Sequence, residues 1–128
     1  MVDTTDAHPA RLLLLEDHDG IRELVRIGLE RDGHFTTCTA RSAREAGAAL
    51  TRDCPDVAVL DLSLPDMDGV EVVRQIRAHC ATTRIVAFSG SSERRDQARE
   101  AGADEFVLKG GPMRDLIDTI KRVTFGGE

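Results

Sequence analysis

Val57-Ala58-Val59-Leu60-Asp61 is four apolar residues closed by a carboxylate, and the same design recurs along the chain. Leu12-Leu13-Leu14-Leu15 runs into Glu16 and Asp17, Ile85-Val86-Ala87-Phe88 into Ser89, and Phe106-Val107-Leu108 into Lys109. A short, unbroken apolar run is what a strand looks like when both of its faces are covered. Side chains at the carboxyl ends of parallel strands converge, and open α/β sheets bind ligands in that crevice. The pattern predicts one pocket that gathers three carboxylates, one ammonium and one hydroxyl.

Between these runs the apolar period changes. Ile21, Leu24, Val25, Ile27 and Leu29 mark one side of a helix over 20–31, with Asp19 as its expected N-cap and Gly33 as its stop. Phe35–Ala40 reads as a further strand. Ser42 and Glu45 have capping-box spacing for a helix to about Arg52, which Pro55 closes off. Gly69 leads into a helix over 70–78, and Ser91 or Ser92 caps another that ends at Gly102. Pro112 suits a first helical turn, after which Met113, Leu116, Ile117, Ile120 and Val123 face inward. Strand and helix alternate five times, which predicts an α/β fold with a parallel sheet covered by helices on both faces. Residues 1–10 are polar and read as an N-terminal tail, and a single domain is expected over 11–125.

The chain has 128 residues, enough for one core, and a net charge of −6. An acidic chain gains nothing from the polyanion attraction that drives nucleic-acid binding, so direct nucleic-acid binding is not expected. No apolar stretch is long enough to span a membrane and no signal peptide opens the chain, so a cytoplasmic protein is the simplest reading. Cys38, Cys54 and Cys80 are odd in number and widely spaced; they read as three buried or partly buried free thiols. None of the four histidines has metal-ligand spacing. Of the 17 basic residues only Lys109 and Lys121 are lysines. A lysine closing an apolar strand is a compact point charge that the broad fork of arginine does not imitate.

Glu16, Asp17 and Asp61 as neighbours would raise one another's pKa unless a hard cation such as Mg²⁺, with its preference for oxygen, relieved the repulsion. The alternatives are solvated loop carboxylates, helix caps and a plain ion pair with Lys109. Lys109 and Ser89 together favour a phosphoryl group, with Asp61 as nucleophile and an aspartyl phosphate as product. Gly90 leaves room for a bulky donor or a water. No GxxxxGK[ST] loop and no GxGxxG follow a strand, which argues against a nucleotide triphosphatase and a dinucleotide site. Ser63 stands where a phosphatase of this chemistry could place a second acid, two residues past its nucleophile.

Five fragments carry a resemblance: Leu14-Leu15-Glu16-Asp17, Asp61-Leu62-Ser63-Leu64-Pro65-Asp66-Met67-Asp68-Gly69, Ala87-Phe88-Ser89-Gly90, Ala101-Gly102-Ala103-Asp104 and Phe106-Val107-Leu108-Lys109. In this order and spacing they resemble the receiver domain of bacterial two-component response regulators, over residues 11–123. The resemblance implies a flavodoxin-like (βα)5 three-layer sandwich with sheet order 2-1-3-4-5. It implies that Asp61 accepts a phosphoryl group from a sensor histidine kinase or phosphotransfer protein. Asp17, Asp61 and the Ser63 carbonyl would ligate Mg²⁺, or alternatively Mn²⁺, with Glu16 acting through water. Lys109, Ser89 and Gly90 would contact the phosphoryl group, and Ser89 and Phe106 would carry the switch. Two positions depart from the family pattern. Phe106 stands where Tyr is common, and Gly110-Gly111 follow Lys109 where Pro is usual.

Three functions are thus in view. The first is a phosphorylation-activated switch that is not itself an enzyme and docks onto an unknown output protein, with a phosphorylation-dependent homodimer as one form. The second is the receiver half of a longer LuxR-type DNA-binding regulator, which the Lys109-Gly110 pair resembles. The third is a small metal-dependent phosphatase.

Overall fold

A computed structural model describes residues 8–126, so positions 1–7 of the expected tail lie outside the described residues. The elements are β1 (Ala10–Leu15), α1 (Asp19–Asp32), β2 (Phe35–Ala40), α2 (Ala43–Arg52), β3 (Val57–Asp61), α3 (Gly69–His79), β4 (Arg84–Ser89), α4 (Arg95–Ala101), β5 (Glu105–Leu108) and α5 (Met113–Phe125). A 3₁₀ turn, Ser92–Arg94, precedes α4. The five strands form one parallel sheet in the order β2-β1-β3-β4-β5. β1 begins at Ala10, inside the expected tail, because the Ala10 N–H donates to the His34 carbonyl at 2.9 Å and its side chain is buried.

The apolar runs divide between two cores. Leu13, Leu15, Ala58, Leu60, Ile85 and Ala87 face α2, α3 and α4, packing on Ala46, Val72, Val73, Ile76 and Ala98. Leu12, Leu14, Val57, Val59, Val86 and Phe88 face α1 and α5, packing on Val25, Leu29, Leu116 and Ile120. Alternate residues of one strand point to opposite faces, so a strand covered on both faces, such as β3, is apolar at successive positions. Burial of each such Leu or Ile stabilises the fold by about 1.5–3 kcal/mol.

Several helix ends differ from the sequence expectation. His18, not Asp19, caps α1, its Nδ1 accepting the Ile21 N–H at 3.1 Å. Asp68 caps α3 by accepting the Val70 N–H at 2.9 Å. Ser91 caps the 3₁₀ turn, and α4 starts behind it without a side-chain cap. Pro112 sits at the N-cap of α5 rather than inside its first turn. Half of the capping box of α2 is present: Ser42 Oγ accepts the Glu45 N–H, but Glu45 accepts the Arg41 N–H rather than that of the N-cap Ser42.

The cysteines correct the sequence reading. Cys54 and Cys80 are joined in a disulfide, and Cys38 is free but exposed. Spacing concealed the pair because 26 positions separate them. They meet because β3 and β4 are neighbours: Cys54 precedes β3 and Cys80 caps the helix that returns to β4. Nearby, Arg77 clasps three segments. Its guanidinium donates to the carbonyls of Gly102 at 2.8 Å, Thr83 at 2.7 Å and Ala81 at 2.9 Å, and to Asp104 Oδ2 at 3.1 Å.

Two glycines give opposite predictions. A Cβ on Gly69 would lie 2.3 Å from Leu62 Cα, whereas one on Gly47, within α2, would meet nothing inside 4 Å. Gly69→Ala is expected to destabilise the domain by about 3 kcal/mol, the upper end for overpacking. Gly47→Ala should stabilise it by roughly 0.5–1 kcal/mol through backbone entropy. Urea unfolding of the two variants against the parent chain measures both.

Candidate functional site

The site follows from strand register. Leu15 pairs with Leu60, which sets Glu16 beside Asp61. Asp61 pairs with Phe88, and Ser89 pairs with Leu108, which leaves Lys109 one residue beyond Ser89. The Lys109 N–H also donates to the Ser89 carbonyl at 2.8 Å. Lys109 then reaches back across β4, its Nζ 5.4 Å from the centre of the Phe88 ring. It ends 3.0 Å from Asp61 Oδ2 and 2.9 Å from Glu16 Oε1.

The two carboxylates are deep, Glu16 being 1% and Asp61 4% exposed. Asp17 is exposed, and Glu16, Asp17 and Asp61 each offer an oxygen within 4.8 Å of the others. Glu16 Oε2 accepts the His18 N–H at 3.1 Å, but Oε1 has no aligned hydrogen-bond donor beyond its ion contact with Lys109. Asp61 Oδ1 accepts the Ser63 N–H at 2.9 Å, which folds the loop after β3 back over the strand end. Arg22 braces the opposite wall by donating to the Glu16 carbonyl at 2.9 Å.

The charges are shifted as this burial demands. Burial pushes the Glu16 carboxyl above its ordinary 4.5, and Asp61 adds to the rise, while Lys109 and the His18 N–H pull against it. Burial also pulls the Lys109 ammonium down. Glu16 and Asp61 more than reverse that, and the ammonium is held above its ordinary 10.5.

Seven of the eight residues expected at the site lie at the carboxyl ends of β1, β3, β4 and β5 or in the loops that leave them, and Phe106 is the second residue of β5. Glu16, Asp17, Asp61 and Lys109 form one cluster. Ser89 is buried at the end of β4, and Gly90 beside it is open, with nothing within 4 Å of where a Cβ would stand. Ser63 is exposed, its N–H bound to Asp61. Phe106 stands apart from the charges, buried in β5 with the Arg95 guanidinium 5.0 Å over its ring. Arg95 and Arg94, which pairs with Asp68 at 2.7 Å, went unnoticed in the sequence. No periodicity marks an arginine whose partner is on another element.

Residues 12–121 match the family described as the response regulator receiver domain. The transcriptional regulatory protein CseB of Streptomyces coelicolor is 36% identical over 119 residues, which cover 91% of this chain and 50% of that protein. The nitrate/nitrite response regulator NarL of Escherichia coli K12 is 31% identical over 125 residues, covering 95% of this chain and 58% of NarL. The crystal structure of a LuxR-family two-component response regulator from an Aurantimonas species superposes with a TM-score of 0.85 at 33% identity, covering 92% of this chain and 86% of that one. The chain spans about half the length of the curated relatives it matches.

The Lys109 shift makes a pH prediction. Its folded value lies above the ordinary 10.5, so its contribution to stability is complete below 10.5 and is lost as pH climbs through the folded value. The chain has no tyrosine to titrate in the same range. Urea midpoints recorded through the alkaline range should fall for the parent chain, and Lys109→Met should flatten that fall.

Proposed function

The chain belongs to the response regulator receiver domain family, and on that footing we propose that Asp61 is its phosphoacceptor and that Ser89 and Phe106 relay the event. The observation that carries the proposal is the Lys109 ammonium bridging two buried carboxylates, at 3.0 Å from Asp61 and 2.9 Å from Glu16. An isolated pair of buried carboxylates is costly, and here one cation lies within reach of both.

The donor set suits Mg²⁺, a hard cation that takes oxygen ligands. Glu16, Asp17 and Asp61 each offer an oxygen within 4.8 Å of the others, the kind of donor set a hard cation takes. Asp17, Asp61 and the Ser63 carbonyl would hold the ion, Glu16 through water, and Mn²⁺ would be accepted by the same oxygens. Such an ion, when bound, neutralises charge on the oxygens of a transferring phosphoryl group.

In the reaction, a carboxylate oxygen of Asp61 bonds to phosphorus as the bond to the donor's leaving atom breaks, and the electron pair departs with the donor. The donor is the phosphohistidine of a sensor histidine kinase or a phosphotransfer protein. Lys109 keeps a positive charge beside the acceptor throughout. The aspartyl phosphate carries about −2 charge where one carboxylate stood. Ser89 Oγ accepts the Ser91 N–H at 3.3 Å, so its own hydrogen is free to turn toward those oxygens. Phe106 then repacks and Arg95 loses the ring beneath it, which alters the surface around α4, β5 and α5. The change is a shift between two pre-existing populations.

The domain acts as a signalling switch on an unidentified output protein, with a phosphorylation-dependent homodimer as one possible readout of the altered face. A histidine-kinase donor supports a cytoplasmic reading. Among the described residues no helix is long and apolar enough to cross a membrane. A second reading is favoured by the 33% identity to the LuxR-family structure: the receiver part of a longer DNA-binding regulator. A helix-turn-helix sequence in the surrounding reading frame decides for it.

Incubation with acetyl phosphate and Mg²⁺, followed by intact mass measurement, should add one alkali- and hydroxylamine-labile phosphoryl group to the parent chain and none to Asp61→Asn. Undiminished labelling of that variant removes Asp61 from the role. Lys109→Ala should still bind Mg²⁺, but the ring resonances of Phe106 should no longer respond to phosphorylation.

A further inference from the structure

At the pole opposite Asp61, Cys54, Cys80 and His79 each offer a ligand atom within 4.8 Å of the others. Cys80 is buried at the C-cap of α3, where its N–H donates to the Ile76 carbonyl at 2.7 Å. Cys54 is partly exposed in the connection from α2 to β3, its Sγ 3.9 Å from the His79 carbonyl. His79 is the last residue of α3 and is exposed.

The two connections are held together by more than sulfur. The buried Thr83 hydroxyl donates to the Pro55 carbonyl at 2.7 Å, and the Arg84 N–H donates to the Asp56 carbonyl at 2.9 Å. Breaking the disulfide therefore leaves the cysteine backbones in place, with Cα atoms 5.7 Å apart in the bonded form. Tetrahedral zinc needs sulfurs about 3.8 Å apart, given Zn–S bonds of about 2.3 Å. Side-chain rotation of Cys54, on the exposed connection, supplies the opening.

We propose that Cys54, Cys80 and His79 form a thiol-dependent site for a zinc-class divalent cation, for which the disulfide is the oxidised, closed form. Two thiolates and one imidazole are the donors that select such an ion over Mg²⁺, and water completes the fourth position. Opening requires a thiol reductant. It supplies two electrons and two protons, the S–S bond breaks and two thiols form. The incoming cation then displaces both thiol protons into solvent. The site shares no residue with the acidic pocket, so its test does not depend on phosphorylation.

The experiment uses the whole chain in a Cys38→Ser background, which removes the exposed free thiol. Excess Mg²⁺ is present to occupy the acidic pocket. Protein reduced by dithiothreitol and then desalted without air is titrated with Zn²⁺ against a chromophoric chelator, and with Co²⁺ for its thiolate charge-transfer band. One ion per chain, taken up by the reduced form and not by the oxidised form, is the expected result. His79→Ala, on an exposed position, should weaken uptake roughly tenfold or more, and Cys54→Ser about a hundredfold. Circular dichroism confirms that each variant is folded. Equal uptake by reduced and oxidised protein overturns the proposal. So does undiminished uptake by folded Cys54→Ser and His79→Ala, one ion shared between two chains, or a disulfide that dithiothreitol opens only on unfolding.

Discussion

One ammonium holds the functional end of this domain together. Glu16, Asp61 and Lys109 arrive on β1, β3 and β5, and β4 lies between the last two. Lys109 bridges that gap by crossing over Phe88, so a single side chain ties three strand ends. Two carboxylates this deeply buried are tolerable only with a cation between them. A guanidinium is too broad to do the same in so small a space, which accounts for a lysine here in a chain that otherwise relies on arginine. Anything that draws the ammonium toward a new charge must therefore loosen its hold on Glu16, so the resting geometry and the capacity to respond have one origin.

Much of this is legible in the sequence. Four apolar runs with a polar residue at each carboxyl end specify a parallel sheet with both faces covered, and a parallel sheet in register collects those ends. Asp61 and Lys109 could be found because strand geometry carries them there, whatever the connections do. The parts that escaped depend on partners distant in sequence. Cys54 and Cys80 meet because β3 and β4 are adjacent, a fact of sheet order with no local signature. His18 displaced Asp19 as the cap of α1 because the imidazole Nδ1 can accept the Ile21 N–H, leaving Asp19 to pair with Arg22. Arg95 over Phe106 joins a helix to a strand, and neither period reports it.

The loop after Lys109 shows how a departure from a familiar pattern is absorbed. Gly110 has φ +97°, a conformation closed to proline and strained for other residues. The chain thus leaves β5 along a path that only glycine follows without strain. Phe106, lacking a hydroxyl, has no side-chain hydrogen bond to make. Its polar neighbour is the guanidinium of Arg95 over the ring.

The Arg77 clasp has a mechanical consequence. At the carboxyl end of α4, Gly102 is fastened to Arg77 through its carbonyl, and the same guanidinium grips Thr83, Ala81 and Asp104. At the amino end, beside Ser89, the contacts are between side chains: the exposed Arg94–Asp68 ion pair and the Arg95 guanidinium over Phe106. A seven-residue helix anchored so unequally is a short lever. Its tighter end is at Gly102 and its looser end follows Ser89 by one 3₁₀ turn, so a force on the loop after β4 would turn the helix about its carboxyl end.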